Sequence, residues 1–323
     1  MKMNFSAKTA RRVEQGFFVA VCLYAGWGFA RFLEWTTHPD AAFTPKPGTV
    51  EGFLPIAALA GLKNLFLTGT YDFVHPAGLT ILLSAMACAL IFRKSFCGAV
   101  CPVGLVSDLL GEAGKRAGLG RRASKLLDRT AGAIKYLLLG FFLISIFALM
   151  DGASTRQFLS SDYNMTADAS LFRLFAHPSR TFLTVLVVLG VMGAVFRNAW
   201  CRWLCPYGAL LGLLGMAGPC SVRRDSNSCD GCGRCARACP MDIAPGGAAR
   251  SSRCMACGQC VEACPKPGTL TMRFLAGPVR PWLPLLCGVG LFLGGCGLAM
   301  AFGAWDCTLP MNMLRTLYAQ AAP

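Results

Sequence analysis

The chain has 323 residues, of which 54% are hydrophobic and only 15% charged, and it carries a net charge of +15. That balance excludes an ordinary water-soluble domain, where about a quarter of the residues are charged, and it describes a membrane protein. The positive charge would suit nucleic acid, but the basic residues are placed as a topology signal, and no nucleic-acid partner is expected.

Apolar runs close to the roughly 20 residues that cross a hydrocarbon layer lie at residues 16–33, 74–92, 131–150, 181–196 and 282–304, which predicts five spanning helices. Lys2, Lys8, Arg11 and Arg12 precede the first. Lys115, Arg116, Arg121, Arg122, Lys125 and Arg129 lie between the second and third. Arg223, Arg224, Arg234, Arg237, Arg250 and Arg253 precede the fifth. The opposite loops hold only scattered cations such as Lys46, Lys63, Arg156 and Arg173, so the positive-inside bias puts the amino terminus in the cytoplasm and the carboxyl terminus in the periplasm. The expected location is a bacterial inner membrane, in contact with lipid. Arg11-Arg12 also resembles the start of a twin-arginine signal, but the following "VEQGFF" fits that signal poorly, and an uncleaved first helix is expected.

The second and fourth runs follow one plan: His-Pro, an apolar run, an arginine, an aromatic residue, then C-x3-C-P-x-G. In the first copy these are His75, Arg93, Phe96, Cys97 and Cys101; in the second, His177, Arg197, Trp200, Cys201 and Cys205. Both copies end on the same side, so the repeat is parallel. If each pair is helical, its two cysteines share a face. If the proline instead opens a new helix, Cys101 and Cys205 sit at helix N-termini, where the dipole favours thiolate. A short amphipathic stretch follows each pair and is expected to lie along the interface.

Eighteen cysteines in a chain with most of its loops in the reducing cytoplasm point to ligands rather than disulfides. The strongest signal is "CDGCGRCARACP" followed by "CMACGQCVEACP". Each is the C-x2-C-x2-C-x3-C-P run of bacterial ferredoxins, in which three thiolates hold one cluster and the fourth reaches the other. The pattern predicts one [4Fe-4S] cluster on Cys229, Cys232, Cys235 and Cys264 and a second on Cys254, Cys257, Cys260 and Cys239. A pair of zinc modules would share the C-x2-C spacing, but two complete runs with the trailing proline favour clusters. Small residues between the ligands, Gly231, Gly233, Ala236 and Gly258, let backbone amides approach the sulfides.

For Cys97, Cys101, Cys201 and Cys205 the readings are a third cluster, a labile metal site or a redox-active thiol set, against small buried side chains. Cys22, Cys88, Cys287 and Cys296 stand singly inside apolar runs and are expected to be packing residues. Cys220 and Cys307 have no assigned role. His75 and His177 begin the two repeat helices on the outer face, where a quinol would release protons, and are the candidate quinol residues. Haem is disfavoured, since no C-x-x-C-H motif exists. The outer run interrupted by Pro55 and Lys63 is expected to be an interfacial or re-entrant helix.

On the ordered C-x3-C-P pairs and ferredoxin runs, the chain resembles the NapH/MauN-type (polyferredoxin-like) membrane ferredoxin family, over about residues 52–271. The resemblance implies a membrane electron conduit that takes electrons from quinol or exchanges them with iron–sulfur, haem or flavin partner subunits. The fifth run and the tail after it depart from the smaller members of that family.

The expected architecture is an all-α polytopic membrane protein with an internal parallel helix-pair repeat and a small α+β di-cluster ferredoxin domain. Residues 1–15 form a tail, 16–218 a four-helix membrane domain, 219–273 the ferredoxin domain, and 274–323 the fifth helix and outward tail. The expected function is electron transfer between quinone or membrane partners and a redox protein. The alternative is an assembly factor that handles copper through the C-x3-C-P cysteines. No acid–base dyad, nucleophile triad or phosphate-binding loop supports catalysis beyond electron transfer.

Overall fold

The computed structural model describes residues 6–38, 40–243, 251–275 and 277–321. Lys2 and Arg250 of the topology signal lie outside the described residues. In chain order, α1 (Ala7–Thr37), α2 (Pro55–Thr68) and α3 (Pro76–Phe92) lead to a π turn at Phe96–Val100 and α4 (Pro102–Arg116). After these come α5 (Lys125–Leu143), α6 (Gly152–Leu159), α7 (Asp162–Met165), α8 (Ala167–Ala176) and α9 (Arg180–Val195). A second π turn, Trp200–Leu204, precedes α10 (Pro206–Ala217). The ferredoxin segment contains β1 (Cys220–Arg224), α11 (Arg234–Ala238), α12 (Gln259–Glu262), β2 (Leu270–Phe274) and β3 (Gly277–Val279). The chain then runs through α13 (Leu283–Ala301) and α14 (Met311–Ala321).

Among the described residues, three helices are long and apolar enough to cross a membrane: Ala7–Thr37, Lys125–Leu149 and Leu283–Ala301. The other two expected spans are realised differently. The second is α3, which at 17 residues rises about 26 Å at 1.5 Å per residue, short of a hydrocarbon core of about 30 Å. The fourth is α9, which counts as a span only together with α8, from which it bends by 78° at the His177-Pro178 break. Proline there removes a backbone donor and disfavours helix in the residue before it. Within the expected tail at 1–15, α1 begins at Ala7, and the two residues of the twin-arginine pair are ion-pair partners of α4, described below.

The chain divides into two compact units. The first comprises Met1–Val19, Ala85–Leu139 and Val187–Phe292; the second comprises Ala20–Ser84, Gly140–Leu186 and Leu293–Pro323.

In the first unit, β1 pairs antiparallel with β2, and β2 with β3, in the order β1-β2-β3. Cys220 lies opposite Phe274 and Val222 opposite Met272, so the two ends of the ferredoxin segment are tied into one sheet. Cys220 is buried there with Ala256 and Met272, which gives it a packing role.

In the second unit, α2 is buried from Ala57 to Asn64. Pro55 is its first residue, where a missing backbone donor costs nothing. Lys63, expected as an interruption, is buried and donates to the carbonyls of Ile146 (2.8 Å) and Met150. The carboxyl-terminal segment is a packed element here: Tyr318 on α14 is fully buried against Phe29, Phe32 and Leu314, and Cys307 packs against the same cluster.

Candidate electron-transfer site

The eight ferredoxin cysteines fall into two sets. Cys229, Cys232, Cys235 and Cys264 line one cavity of about 220 Å³, together with Arg224, Asp230 and Lys266. Cys239, Cys254, Cys257 and Cys260 line a second, much tighter space of about 20 Å³, with Val222, Met241 and Ile243. In each set three cysteines come from one run and the fourth from the other run. The two differ in access: Cys232 is exposed, whereas Cys257 is buried. Burial pushes the Cys239 thiol up to about 12, so a thiolate forms there only against a compensating cation.

Gly231, Gly233 and Gly258 have φ values of 69°, 67° and 71°, in the left-handed region that favours glycine. Gly258 has a second reason to lack a side chain, because a Cβ there would stand 2.3 Å from the carbonyl oxygen of Pro281.

The four C-x3-C-P cysteines also belong to the first unit. Both copies have the same local form: a helix ends, a π turn carries the first cysteine, and the second cysteine is the extended N-cap of a helix that opens on proline. The backbone of Cys101 is at φ −68°, ψ 120° and that of Cys205 at φ −73°, ψ 107°. The helix-N-terminus alternative therefore describes the second cysteine of each pair. The expected dipole-favoured thiolate does not follow at Cys101, whose thiol burial raises well above its ordinary value, with the neighbouring cysteines adding to the rise. Burial likewise pushes Cys97 up to about 11 and Cys201 up to about 12.

The two copies meet. Phe96 of the first and Tyr207 of the second are edge to face at 5.8 Å, and all four cysteines interact electrostatically with one another. The glycine of the first C-P-x-G has a steric reason, whereas a side chain at that of the second would make only ordinary contacts. A Cβ at Gly104 would stand 2.7 Å from the carbonyl oxygen of Cys97, and one at Gly208 would stand 3.5 Å from Cys205 Sγ and 3.4 Å from Lys94 Nζ.

Arginines and a buried carboxylate tie this platform to the ferredoxin segment. Arg93 donates to the carbonyls of Cys220 (3.2 Å) and Ser251 (2.9 Å). Asp128 accepts from Arg202 (2.5 Å), Trp203 (2.9 Å) and Arg253. Asp108, fully buried on α4, faces Arg11 at 2.5 Å and accepts from Asn198 at 2.9 Å, while the same Asn198 amide donates to the carbonyl of Pro240, next to Cys239. Arg12 pairs with Glu112 at 2.7 Å. The π turn itself touches the ferredoxin run, because a Cβ at Gly98 would stand 3.5 Å from Met255 Cβ, between Cys254 and Cys257. The helix after the second pair is likewise packed rather than free: a Cβ at Gly212 would stand 2.4 Å from the carbonyl oxygen of Ser252.

The sequence reading missed Asp108, Asn198, Lys94 and Lys135. An aspartate four residues after the glycine of C-P-x-G, on the helix face that also carries Gly104 and Gly111, was the available signal.

The histidines occupy unlike settings, both in the second unit. His75 is fully buried, with Nε2 2.7 Å from the carbonyl oxygen of Asn164 and Nδ1 3.4 Å from Glu51 Oε1. Lys46 bridges Glu51 (3.0 Å) and Asp168 (2.8 Å), and the Tyr318 hydroxyl donates to Asp168. His177 is exposed at the α8–α9 break.

Residues 74–123 and 180–222 match the family described as a 4Fe-4S binding domain, and residues 221–265 match the 4Fe-4S dicluster domain. YccM of Escherichia coli (strain K12), named for electron transport, is 35% identical over 98% of this chain and 91% of its own length. The methylamine utilization ferredoxin-type protein MauN of Paracoccus denitrificans (strain Pd 1222) is 32% identical over 51% of this chain and 54% of its own. The ferredoxin-type protein NapH of Escherichia coli (strain K12) is 26% identical over 71% and 73%. No solved structure matches the chain. With two 4Fe-4S-binding regions and a relative that aligns over nearly its whole length, the chain belongs to the NapH/MauN-type family of ferredoxin-type electron transport proteins.

Proposed function

We propose that the protein is a membrane iron–sulfur subunit that passes electrons between the quinone pool, or a membrane partner, and a second redox protein. The observation that carries the proposal is the division of the eight ferredoxin cysteines into two separate cavities of four, each drawing on both runs. Cys229, Cys232, Cys235 and Cys264 would hold one [4Fe-4S] cluster and Cys254, Cys257, Cys260 and Cys239 the other, and Cys97, Cys101, Cys201 and Cys205 would hold a third. When bound, such clusters supply one-electron transfer at potentials set by charge, hydrogen bonding and exposure.

The chain's own residues provide the order of the sites. In this reading the exposed Cys232 side would meet the redox partner and the buried Cys257 side would lie behind it, next to the C-x3-C-P platform that Gly98 and Met255 bring close. At the quinol end His75 is the better candidate, since it has a carboxylate, Glu51, beside it to stabilise an accepted proton.

The copper-handling alternative calls for ligands gathered round a single ion, and among the described residues no group of three or more His, Cys, Asp or Glu is so placed.

The test is anaerobic purification with iron and sulfide counting, followed by addition of reduced quinol. About twelve irons per chain are expected, at four per cluster, with a cluster spectrum that responds to quinol. Protein with a full iron complement and no spectral response would rule out the quinol link.

A further inference from the structure

Two lysines in the first unit stand out because nothing among the described residues accepts their protons. Lys94 is 1% exposed and Lys135 fully buried, and the ammonium nitrogen of each lacks a hydrogen-bond partner. A buried charge without a partner costs several kcal/mol, as an order of magnitude, so each of these lysines either gives up its proton or has its charge offset by something anionic. The nearby carboxylates are committed elsewhere: Asp108 to Arg11, Gln15 and Asn198, and Asp128 to Arg202, Trp203 and Arg253.

Lys94 stands beside the C-x3-C-P cysteines, and Lys135 interacts with them electrostatically. Lys94 Nζ and Cys205 Sγ both lie within 3.5 Å of the single point where a Cβ of Gly208 would stand. Lys94 also interacts electrostatically with Cys97 and Cys201, and Lys135 with Cys97, Cys201 and Cys205. Lys135 has one further contact, with the ring of Tyr136 at 5.0 Å from its centroid, which is attractive but leaves its protons unaccepted.

We propose that Lys94 and Lys135 are the counter-charges of an anionic iron–sulfur cluster held by Cys97, Cys101, Cys201 and Cys205, and that they raise its potential above those of the two ferredoxin-type clusters. The inference rests on the reading that these four cysteines hold a [4Fe-4S] unit. Two ferric and two ferrous irons, four sulfides and four thiolates leave about two net negative charges, which two ammonium groups match. Uptake of one electron adds a further negative charge, and two fixed cations in a low-dielectric site favour that reduced form. Neither lysine needs to donate a proton or touch a sulfide; they act as positioning charges. The second ferredoxin site differs in that Arg11, the cation acting on Cys257, is already paired with Asp108. An electron entering at the exposed end would therefore come to rest on the C-x3-C-P platform.

The experiment uses the full-length protein purified anaerobically in detergent, with iron and sulfide counted and the clusters followed by paramagnetic resonance during a dithionite titration with mediators. The variants are K94M, K135M and the double K94R/K135R. In the wild type about twelve irons are expected, with one signal reduced at a higher potential than the other two. In each methionine variant the reduced-to-oxidised ratio of that signal, at the wild-type midpoint, should fall at least tenfold, a shift of about 59 mV for a one-electron couple. The other two signals should stay in place, and the arginine variant should keep the wild-type midpoint. Loss of about four irons in a methionine variant, with both other signals retained and full loading in the arginine variant, also supports the proposal. Twelve irons with an unmoved midpoint in both methionine variants overturns it while leaving the third cluster in place. Eight irons in the wild type, unchanged in C97S and C201S, overturns the third cluster and the inference together.

Discussion

Asp108 accepts a 2.9 Å hydrogen bond from Asn198, which joins the helix after the first C-x3-C-P pair to the turn before the second. The same carboxylate, fully buried, stands 2.5 Å from Arg11 on the opening helix, and the same amide reaches the carbonyl of Pro240 beside a ferredoxin cysteine. One aspartate thus connects three parts of the chain that carry or support ligands. Removing its charge leaves Arg11 buried and unpaired, a change that costs about 3–5 kcal/mol. D108A should lower the thermal unfolding midpoint of the detergent-solubilised protein and reduce its iron content, whereas R12A, at the half-buried neighbouring pair, should do neither to a comparable degree.

Substitution at the exposed cavity should be local. C232S removes one ligand from the set that lines the cavity of about 220 Å³, so iron per chain should fall by about four, and the resonance signal of the buried second set should survive. A purified C232S protein with full iron content would contradict the ligand assignment.

Gly104→Ala tests the packing of the first π turn. Its added Cβ would meet the Cys97 carbonyl oxygen at 2.7 Å, a backbone atom that cannot swing aside, while Gly140→Ala would meet nothing within 4 Å. Overpacking of this kind costs about 1–3 kcal/mol. The first variant should unfold at lower temperature and load less iron at the C-x3-C-P cysteines, and the second should match the wild type.

An acid-side prediction follows from Glu112. Burial favours its neutral form, but the Arg12 guanidinium and the Lys8 ammonium outweigh burial and hold the carboxyl below its ordinary value of 4.5. The folded state then binds fewer protons than the unfolded one, so the stabilisation is present above pH 4.5 and is lost as pH falls through the lower folded value. Stability curves of wild type and E112Q should separate above that pH and converge below it.

Much of the candidate site was legible because ligation imposes spacing. The two C-x2-C-x2-C-x3-C-P runs and the two C-x3-C-P pairs are short-range patterns, and the structure places the first eight cysteines in two cavities and gives the last four one repeated local form. Apolar runs were equally legible as helices, since composition over about 20 residues decides burial in lipid. Their length was less so: the run at 74–92 becomes a 17-residue helix, and the run at 181–196 begins just after a 78° bend, because proline and local turns act within one or two residues.

What the sequence by itself determined is therefore the chemistry: which residue types recur, at what spacing, in how oily a chain. Only the tertiary structure decided who stands beside whom. Asp128 meets Arg253 across 125 residues and Arg11 meets Asp108 across 97, and Lys94, three residues before Cys97, stands beside Cys205 of the other copy. A buried cation and a solvated one read alike in sequence; they differ only once folding removes the water and leaves the ammonium with the partners that packing provides.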